Sequence, residues 1–175
     1  MPPAEDSGEV DREKGELAVD PAQVAERLQA RFADAVQAVH TDVPDPYVLI
    51  APERVAELGR FLRDEPELDF KSLMCLSGVD YGDRLAVAYH LHSMKHRHRL
   101  CLKADLPREP GAAKLPSVVP VWPGANWHER EAYDLFGIVF EGHPDLRRIL
   151  LPDDWSGHPL RKDYEFPREW HGIPV

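Results

Sequence analysis

The stretch WHEREAYDLFG (127–137) concentrates side chains that could do acid/base chemistry. Two glutamates flank an arginine, and an aspartate follows three residues after the second glutamate. Glu131 and Asp134 could act as general acid and general base if their surroundings separated their pKa values. The positive charge of Arg130 would instead lower both pKa values. The spacing therefore favours a structural or interfacial ion-pair network, with catalysis as the alternative.

Four histidines in the run HLHSMKHRH (90–98) are a second candidate for chemistry. Imidazoles are common zinc ligands, and two HxH pairs across a hairpin could bring them together. The predicted register, however, puts His90 and His92 on one face and His98 on the other. No nearby Asp, Glu or Cys completes a ligand set, so a solvated hairpin tip is the competing interpretation. A small metal- or carboxylate-dependent hydrolase stays open as a function.

The segment PDLRRILLPDDWSGHPLRKDYEFPREW (144–170) mixes aromatic residues with arginines and a lysine. Prolines recur so closely after Gly142 that no interval exceeds seven residues, which excludes helix over most of the segment. Tryptophan, tyrosine and arginine dominate interface hot spots. We therefore expect an extended arm held by a partner, with folding back over its own sheet as the alternative.

Two amphipathic helices are predicted in the first half of the chain. The first spans residues 20–39, with Asp20 as its cap and apolar residues at helical spacing as far as Val39. The second begins at Pro52 and stops before Pro66. Each helix would lay an apolar stripe against a sheet.

Strands account for most of the chain between these helices and the motif. The run YVLI (47–50) predicts a short buried strand, and residues 69–81 are apolar on both alternating sets, which suits a strand covered on two faces. RLAVAYHLH and HRLCLKADL each alternate and predict a hairpin with its tip near Ser93 to Lys95. Pro120 makes SVVPVW an edge strand or a bend.

The stretch WHEREAYDLFG is itself predicted to be a helix that starts at its tryptophan. Asn126 is a good N-cap, Glu129 sits at the capping-box position, and Gly137 follows the last turn. One face carries Arg130 and Asp134, which are able to pair at i,i+4 spacing. The opposite face carries an apolar stripe for the core.

These elements predict an α+β fold with two helices packed on a mostly antiparallel sheet, a short motif-bearing helix and a long irregular Pro-rich C-terminal arm. The first 20 residues carry seven acids and two bases and lack apolar periodicity, which is typical of disorder. The predicted organisation is a disordered acidic leader (1–19), an α+β core domain (20–142) and an extended arm that docks a partner subunit (143–175).

The composition also argues against several classes of function. A net charge of −10 argues against binding nucleic acid, and no segment has the roughly 20 apolar residues that cross a bilayer. Cys75 and Cys101 lie 26 positions apart, without the clustered spacing of a zinc or iron–sulfur site. Phosphate-binding glycine loops are absent from the sequence as well. No catalytic, cofactor-binding or metal-binding residue is therefore predicted on this chain.

Residues 127–164 closely resemble the signature region of the 30 kDa-type (C-type) subunit of the proton-pumping NADH:quinone oxidoreductase, respiratory complex I. The match covers a long run of elements in the same order. They are Glu129-Arg130-Glu131, Asp134-Leu135-Phe136-Gly137, Phe140, Gly142-His143-Pro144, Leu146-Arg147-Arg148-Ile149-Leu150 and Gly157-His158-Pro159-Leu160-Arg161-Lys162-Asp163-Tyr164. The order of helix, strand and hairpin upstream is similar to this family too.

The resemblance implies a small peripheral-arm subunit, attached to the cytoplasmic face of the cell membrane through its complex. Such subunits carry no FMN and no Fe–S cluster, which belong to partner subunits. Their partners are the D-type large subunit, which forms the quinone site, and the Fe–S cluster subunits beside it, with the membrane arm reached indirectly. The implied role is assembly: NADH oxidation through FMN and Fe–S centres elsewhere reduces quinone and drives proton translocation.

The same resemblance leaves an equivalent subunit of a membrane-bound hydrogenase or a deazaflavin-dependent quinone reductase as an alternative. It also implies which polar residues contact the large subunit or brace the chain internally, without dividing the two roles. These candidates are Glu129, Arg130, Glu131, Asp134, Arg147, Arg148, Arg161, Lys162 and Asp163.

Overall fold

The computed structural model describes residues 21–174, with three α-helices and nine strands in that range. The predicted leader (1–19) and the cap at Asp20 lie outside the described residues. The elements are α1 (Pro21–Arg31), β1 (Val36–His40), β2 (Tyr47–Ile50), a 3-10 turn (Pro52–Arg54), α2 (Val55–Asp64), β3 (Ser72–Asp80), β4 (Leu85–Ser93), β5 (His98–Leu106), β6 (Lys114–Pro116), α3 (Ala125–Phe136), β7 (Val139–Glu141), β8 (Glu169–Trp170) and β9 (Ile173–Pro174).

Five strands form one sheet in the order β1-β2-β5-β4-β3. Only the β2–β5 pair is parallel, so the sheet is mostly antiparallel, as predicted. The β4–β5 hairpin is confirmed with an unbroken register from Leu85 opposite Leu106 to Ser93 opposite His98. The predicted α+β class is therefore confirmed.

The core lies on one face of this sheet. Alternate residues of β4 and β5 are buried on that face, among them Val87, Tyr89 and Leu102. Leu28 of α1 and Leu58 of α2 are fully buried in the same hydrophobic cluster. The amphipathic stripes thus cover the sheet from one side. Within residues 21–174, no helix combines the length and apolar character that a membrane span requires.

The prediction of a first helix over residues 20–39 was wrong in its second half. α1 ends at Arg31, and the chain reverses so that Val36–His40 forms β1. Val36 lies opposite Ile50 and Val39 opposite Val48, in an antiparallel pair with β2. Helical and strand interpretations of a short apolar run cannot be separated by spacing alone. Here the pairing with β2 determines that residues 36–40 form a strand.

The prediction that residues 69–81 are covered on two faces was also wrong. β3 is the last strand of the sheet, and most of its side chains are only partly buried. A register shift between Leu73 and Cys75 marks a bulge, where Met74 is 53% exposed. On the core side α3 packs so closely that a Cβ at Gly78 would lie 2.7 Å from the Phe136 ring.

Two short strands bracket α3. β6 and β7 pair in parallel, so the helix and its flanking loops form a crossover beside the main sheet. SVVPVW is a bend, since residues 117–124 contain turns and no strand. Residues 142–168 form turns and bends, and β8 and β9 make a small hairpin after them.

Candidate functional site

α3 presents three of its charged side chains to the interior of the protein. Glu129, Arg130 and Asp134 are buried, although Arg130 and Asp134 were predicted to lie on the face opposite the apolar core stripe. The N-cap is Gly124, without a side-chain hydrogen bond at that cap, so the expected cap at Asn126 was also wrong. The C-terminal end is as predicted, with Gly137 in the left-handed region at φ 73°.

The Glu129 carboxylate bonds to the loop after β6 instead of completing a capping box. Ser117 Oγ donates to Oε2 at 2.7 Å, and the Val118 backbone N–H donates to Oε1 at 2.6 Å. The side chain is fully buried. Burial raises the pKa of Glu129 to about 7, although these two hydrogen bonds favour the charged form.

Asp134 receives four hydrogen bonds on its side chain from one short segment. Arg148 Nη1 donates to Oδ1 at 2.6 Å. Oδ2 accepts the backbone N–H groups of Ile149, Leu150 and Leu151 at 2.8 to 3.0 Å. Burial alone would raise the pKa of Asp134, but these donors outweigh it and hold the pKa below its ordinary value. Asp134 is therefore a buried anion with a complete set of donors.

Arg130 does not pair with Asp134 as predicted; it binds the same segment independently. Its Nε and Nη2 donate to the carbonyl oxygens of Arg147 and Arg148, each at 3.2 Å. The guanidinium also lies over the Trp127 ring, 5.3 Å from the centroid. Arg148 extends the network, since its Nη2 donates to carbonyls of the loop that follows it.

The C-terminal carbonyl groups of α3 are satisfied largely by the arm. Such groups have no partner inside a helix. His158 Nδ1 donates to the Asp134 carbonyl at 2.9 Å, the Leu160 N–H to Leu135 at 3.1 Å, and Arg161 Nε to Phe136 at 2.7 Å. Burial lowers the pKa of His158, which favours the neutral ring. The arm between residues 143 and 164 thus folds back on α3, the alternative to an extended conformation.

A second polar cluster fixes the arm to the sheet. Asp80, at the end of β3, accepts Arg108 Nη2 at 3.0 Å and the Lys162 backbone N–H at 2.9 Å. Arg108 also donates twice to Asp163, at 2.7 and 3.1 Å. The Arg108 guanidinium holds the pKa of Asp80 and of Asp163 below the ordinary range. Sequence reasoning missed Asp80 and Arg108, because nothing in their local spacing links them to residue 163.

The nine predicted site residues divide into two groups. Six form side-chain hydrogen bonds with residues that are distant in the sequence: Glu129, Arg130, Asp134, Arg148, Arg161 and Asp163. The side chains of Glu131 and Lys162 are exposed, and exposed Arg147 pairs with Asp145 at 2.9 Å. A role of any of the nine in contacting another subunit stays a prediction.

The geometry gives little support to the two chemical alternatives, an acid/base pair of Glu131 with Asp134 and a metal site formed by the histidines. Asp134 is buried under four donors, so it is not placed to exchange protons with Glu131. His98 Nε2 bonds to the Leu68 carbonyl at 2.7 Å, and His96 Nε2 to the Pro66 carbonyl at 2.9 Å. Across residues 21–174, no cluster of three or more His, Cys, Asp or Glu side chains could hold a metal ion.

Gly137→Ala tests how closely the arm packs on the helix end. A Cβ at residue 137 would lie 2.5 Å from His158 Nε2, whereas a Cβ at Gly111, at nearly the same φ, would meet nothing within 4 Å. We expect Gly111→Ala to lower the free energy of unfolding by about 1 kcal/mol and Gly137→Ala by about 3 kcal/mol. Urea denaturation of both variants measures the difference. Equal losses would show that His158 is not seated there.

Glu129→Gln tests the buried carboxyl group. An acid whose pKa is near 7 when folded and near 4.5 when unfolded stabilises the fold below pH 4.5 and loses that contribution as the pH rises through 7. We expect the stability of the wild type, relative to Glu129→Gln, to fall by on the order of 3 kcal/mol between pH 4.5 and 8. Glutamine keeps an acceptor for Val118 and a polar partner for Ser117. Parallel stability curves from pH 5 to 8 would contradict the assignment.

Comparison with known proteins shows which family the chain belongs to. The family model of the respiratory-chain NADH dehydrogenase 30 kDa subunit matches residues 48–169. The C subunit of NADH-quinone oxidoreductase from Roseiflexus sp. (strain RS-1) is 49% identical over 150 residues, which cover 84% of this chain and 85% of that protein.

Two solved structures share the fold. The trypsin-resistant fragment of Nqo5 is 33% identical with a TM-score of 0.56, and the match covers 70% of this chain and 99% of the fragment. A chain of the membrane-bound sulfane sulfur reductase, an archaeal respiratory membrane complex, has a TM-score of 0.67 at 20% identity, covering 82% of this chain and 85% of that chain. The second likeness shows the fold alone. The first agrees with the family model and the Roseiflexus relative, so the chain belongs to the family of the respiratory-chain NADH dehydrogenase 30 kDa subunit.

Proposed function

We propose that this chain is a non-catalytic subunit of the peripheral arm of an NADH-quinone oxidoreductase. Its role is to hold the quinone-site large subunit and the neighbouring Fe–S cluster subunits in register. NADH oxidation through FMN and Fe–S centres on those partners then reduces quinone and drives proton translocation. The chain lies at the cytoplasmic face of the membrane and reaches the membrane arm through its partners.

The carboxylate of Asp134 is the observation that carries this proposal. A catalytic carboxylate needs a free position for substrate or water. Both oxygens of Asp134 are instead occupied by Arg148 and by three consecutive backbone N–H groups. The charged groups of the signature thus support a structural role, in which they fix the arm to α3.

Three large apolar side chains are exposed on the surface that this bracing presents. Trp127 is 64% exposed, Leu150 61% and Leu160 52%. Trp127 belongs to α3, and the other two belong to the segments that Asp134 and Leu135 bind through hydrogen bonds. Large exposed apolar side chains on a rigid, hydrogen-bonded support are typical of protein–protein interfaces. We call Trp127, Leu150 and Leu160 the α3 surface and assign it to the large subunit.

The hydrogenase-type and deazaflavin-type alternatives have weaker support. The fold does occur in a sulfane sulfur reductase, at 20% identity. The 49% identity to an NADH-quinone oxidoreductase C subunit extends over most of both chains and favours NADH as the electron donor of the complex.

Trp127→Ala combined with Leu150→Ala tests the docking role. Both side chains are mostly exposed, so the isolated variant should keep its fold and unfold close to the wild-type temperature, lowered only by loss of the contact between Trp127 and Arg130. Loss of two interface anchors should reduce the assembled complex at least about tenfold. Blue-native gels of detergent-solubilised membranes, with the bands identified by mass spectrometry, measure this amount.

Met94→Ala is the matched control, because Met94 is a 74% exposed methionine at the tip of the β4–β5 hairpin, remote in sequence from α3. It should assemble like the wild type. Normal assembly of the double variant would place the interface elsewhere on the chain.

A further inference from the structure

The free edge of β3 is only partly buried, and it is uncharged from Ser72 to Val79. β3 ends the five-stranded sheet, and no strand in residues 21–174 pairs with its outer side. Alternate backbone N–H and C=O groups of an antiparallel edge strand point away from its neighbour. From Ser72 to Val79 the sequence SLMCLSGV carries no charge and no proline, the usual devices that keep such an edge from pairing. The bulge at Met74 protects only its beginning, since the register from Cys75 to Asp80 is regular.

A groove runs along this regular part of the edge. Its volume is about 270 Å³. One wall is Cys75–Gly78 of β3, and the other is His128, Glu131 and Ala132 of α3, with Leu160 of the arm at one side. The exposed side of α3 and the free edge of β3 therefore face one continuous channel, which we call the β3–α3 groove.

We infer that the β3–α3 groove binds an extended segment of the neighbouring large subunit, which adds to the sheet as a sixth strand beside Cys75–Val79. The inference rests on the proposed docking role of the chain and names the kind of segment that docks. Five residues of an extended strand span about 17 Å, which matches the unbulged part of β3. Backbone pairing supplies affinity in such strand addition, and side-chain pockets supply specificity.

The chemistry of the groove selects the occupant. A helix cannot satisfy the free groups of β3, because its own N–H and C=O groups bond internally. The uncharged floor formed by Leu76, Ser77 and Gly78 fits small or apolar side chains. Glu131 is exposed and makes no ion pair with any described residue, so a lysine or arginine of the segment fits opposite it. Leu160 connects the groove to the α3 surface, so both would contact the same subunit.

Photo-crosslinking in the assembled complex tests this inference. A photoreactive amino acid replaces Glu131 in one variant and Met74 in another, and exposed Arg60 on α2 serves as the control position. We expect the residue-131 probe to link to one contiguous stretch of fewer than about ten residues in the large subunit. The Met74 probe should reach one end of that stretch, and the Arg60 probe should not reach it. Links to a second copy of this chain, or to a helix of any partner, would overturn the inference.

Hydrogen exchange of the unmodified complex gives an independent measurement. Every second amide between Cys75 and Val79 should exchange at least about tenfold more slowly in the complex than in the isolated chain, because only those amides point away from β4. Unchanged exchange in a fully assembled complex would refute strand addition and leave the docking role intact. Failure of wild-type chain to enter any complex would instead refute the docking role.

Discussion

The buried charge of Asp134 is the constraint on which this region depends. A carboxylate removed from water destabilises a protein by several kcal/mol unless donors surround it. Residues 148–151 supply those donors as one guanidinium and three successive N–H groups. Such a concave row of N–H groups is a common anion-binding arrangement, and here the anion is a side chain of the protein itself. The helix therefore cannot stay buried on this side unless the segment is in place.

The end of α3 also depends on the arm. The last turn of α3 ends with carbonyl groups that need donors, and His158, Leu160 and Arg161 provide them. Residues 142–168 contain no strand or helix. They are ordered by these contacts and by the hydrogen bond from the Lys162 N–H to Asp80 at the end of β3. Helix and arm thus stabilise each other, and the backbone that carries the exposed apolar side chains is held in place. A preordered surface loses less conformational entropy on binding than a flexible arm would.

Local patterns in the sequence were sufficient where local physics decides the structure. The β4–β5 hairpin follows from alternation, α2 from its amphipathic stripe, and the end of α3 from Gly137. Prediction failed where a segment distant in the sequence determines the local structure. Val36 and Val39 became strand because β2 pairs with them, and the polar face of α3 became buried because its partners lie near residues 117 and 148. The nine polar candidates were found through resemblance, whereas Arg108 carried no local signal of its pairing with Asp80, 28 positions earlier.

The most direct measurement of whether Asp134 orders the arm is amide hydrogen exchange on the isolated full-length chain. The N–H groups of Ile149, Leu150 and Leu151 should exchange at least about a hundredfold more slowly than unstructured amides, and Asp134→Asn should abolish most of that protection while β4 stays protected. Exchange of these three amides at the unstructured rate in the wild type, with β4 protected, would show that the arm becomes ordered only in the complex and that Asp134 does not hold it beforehand.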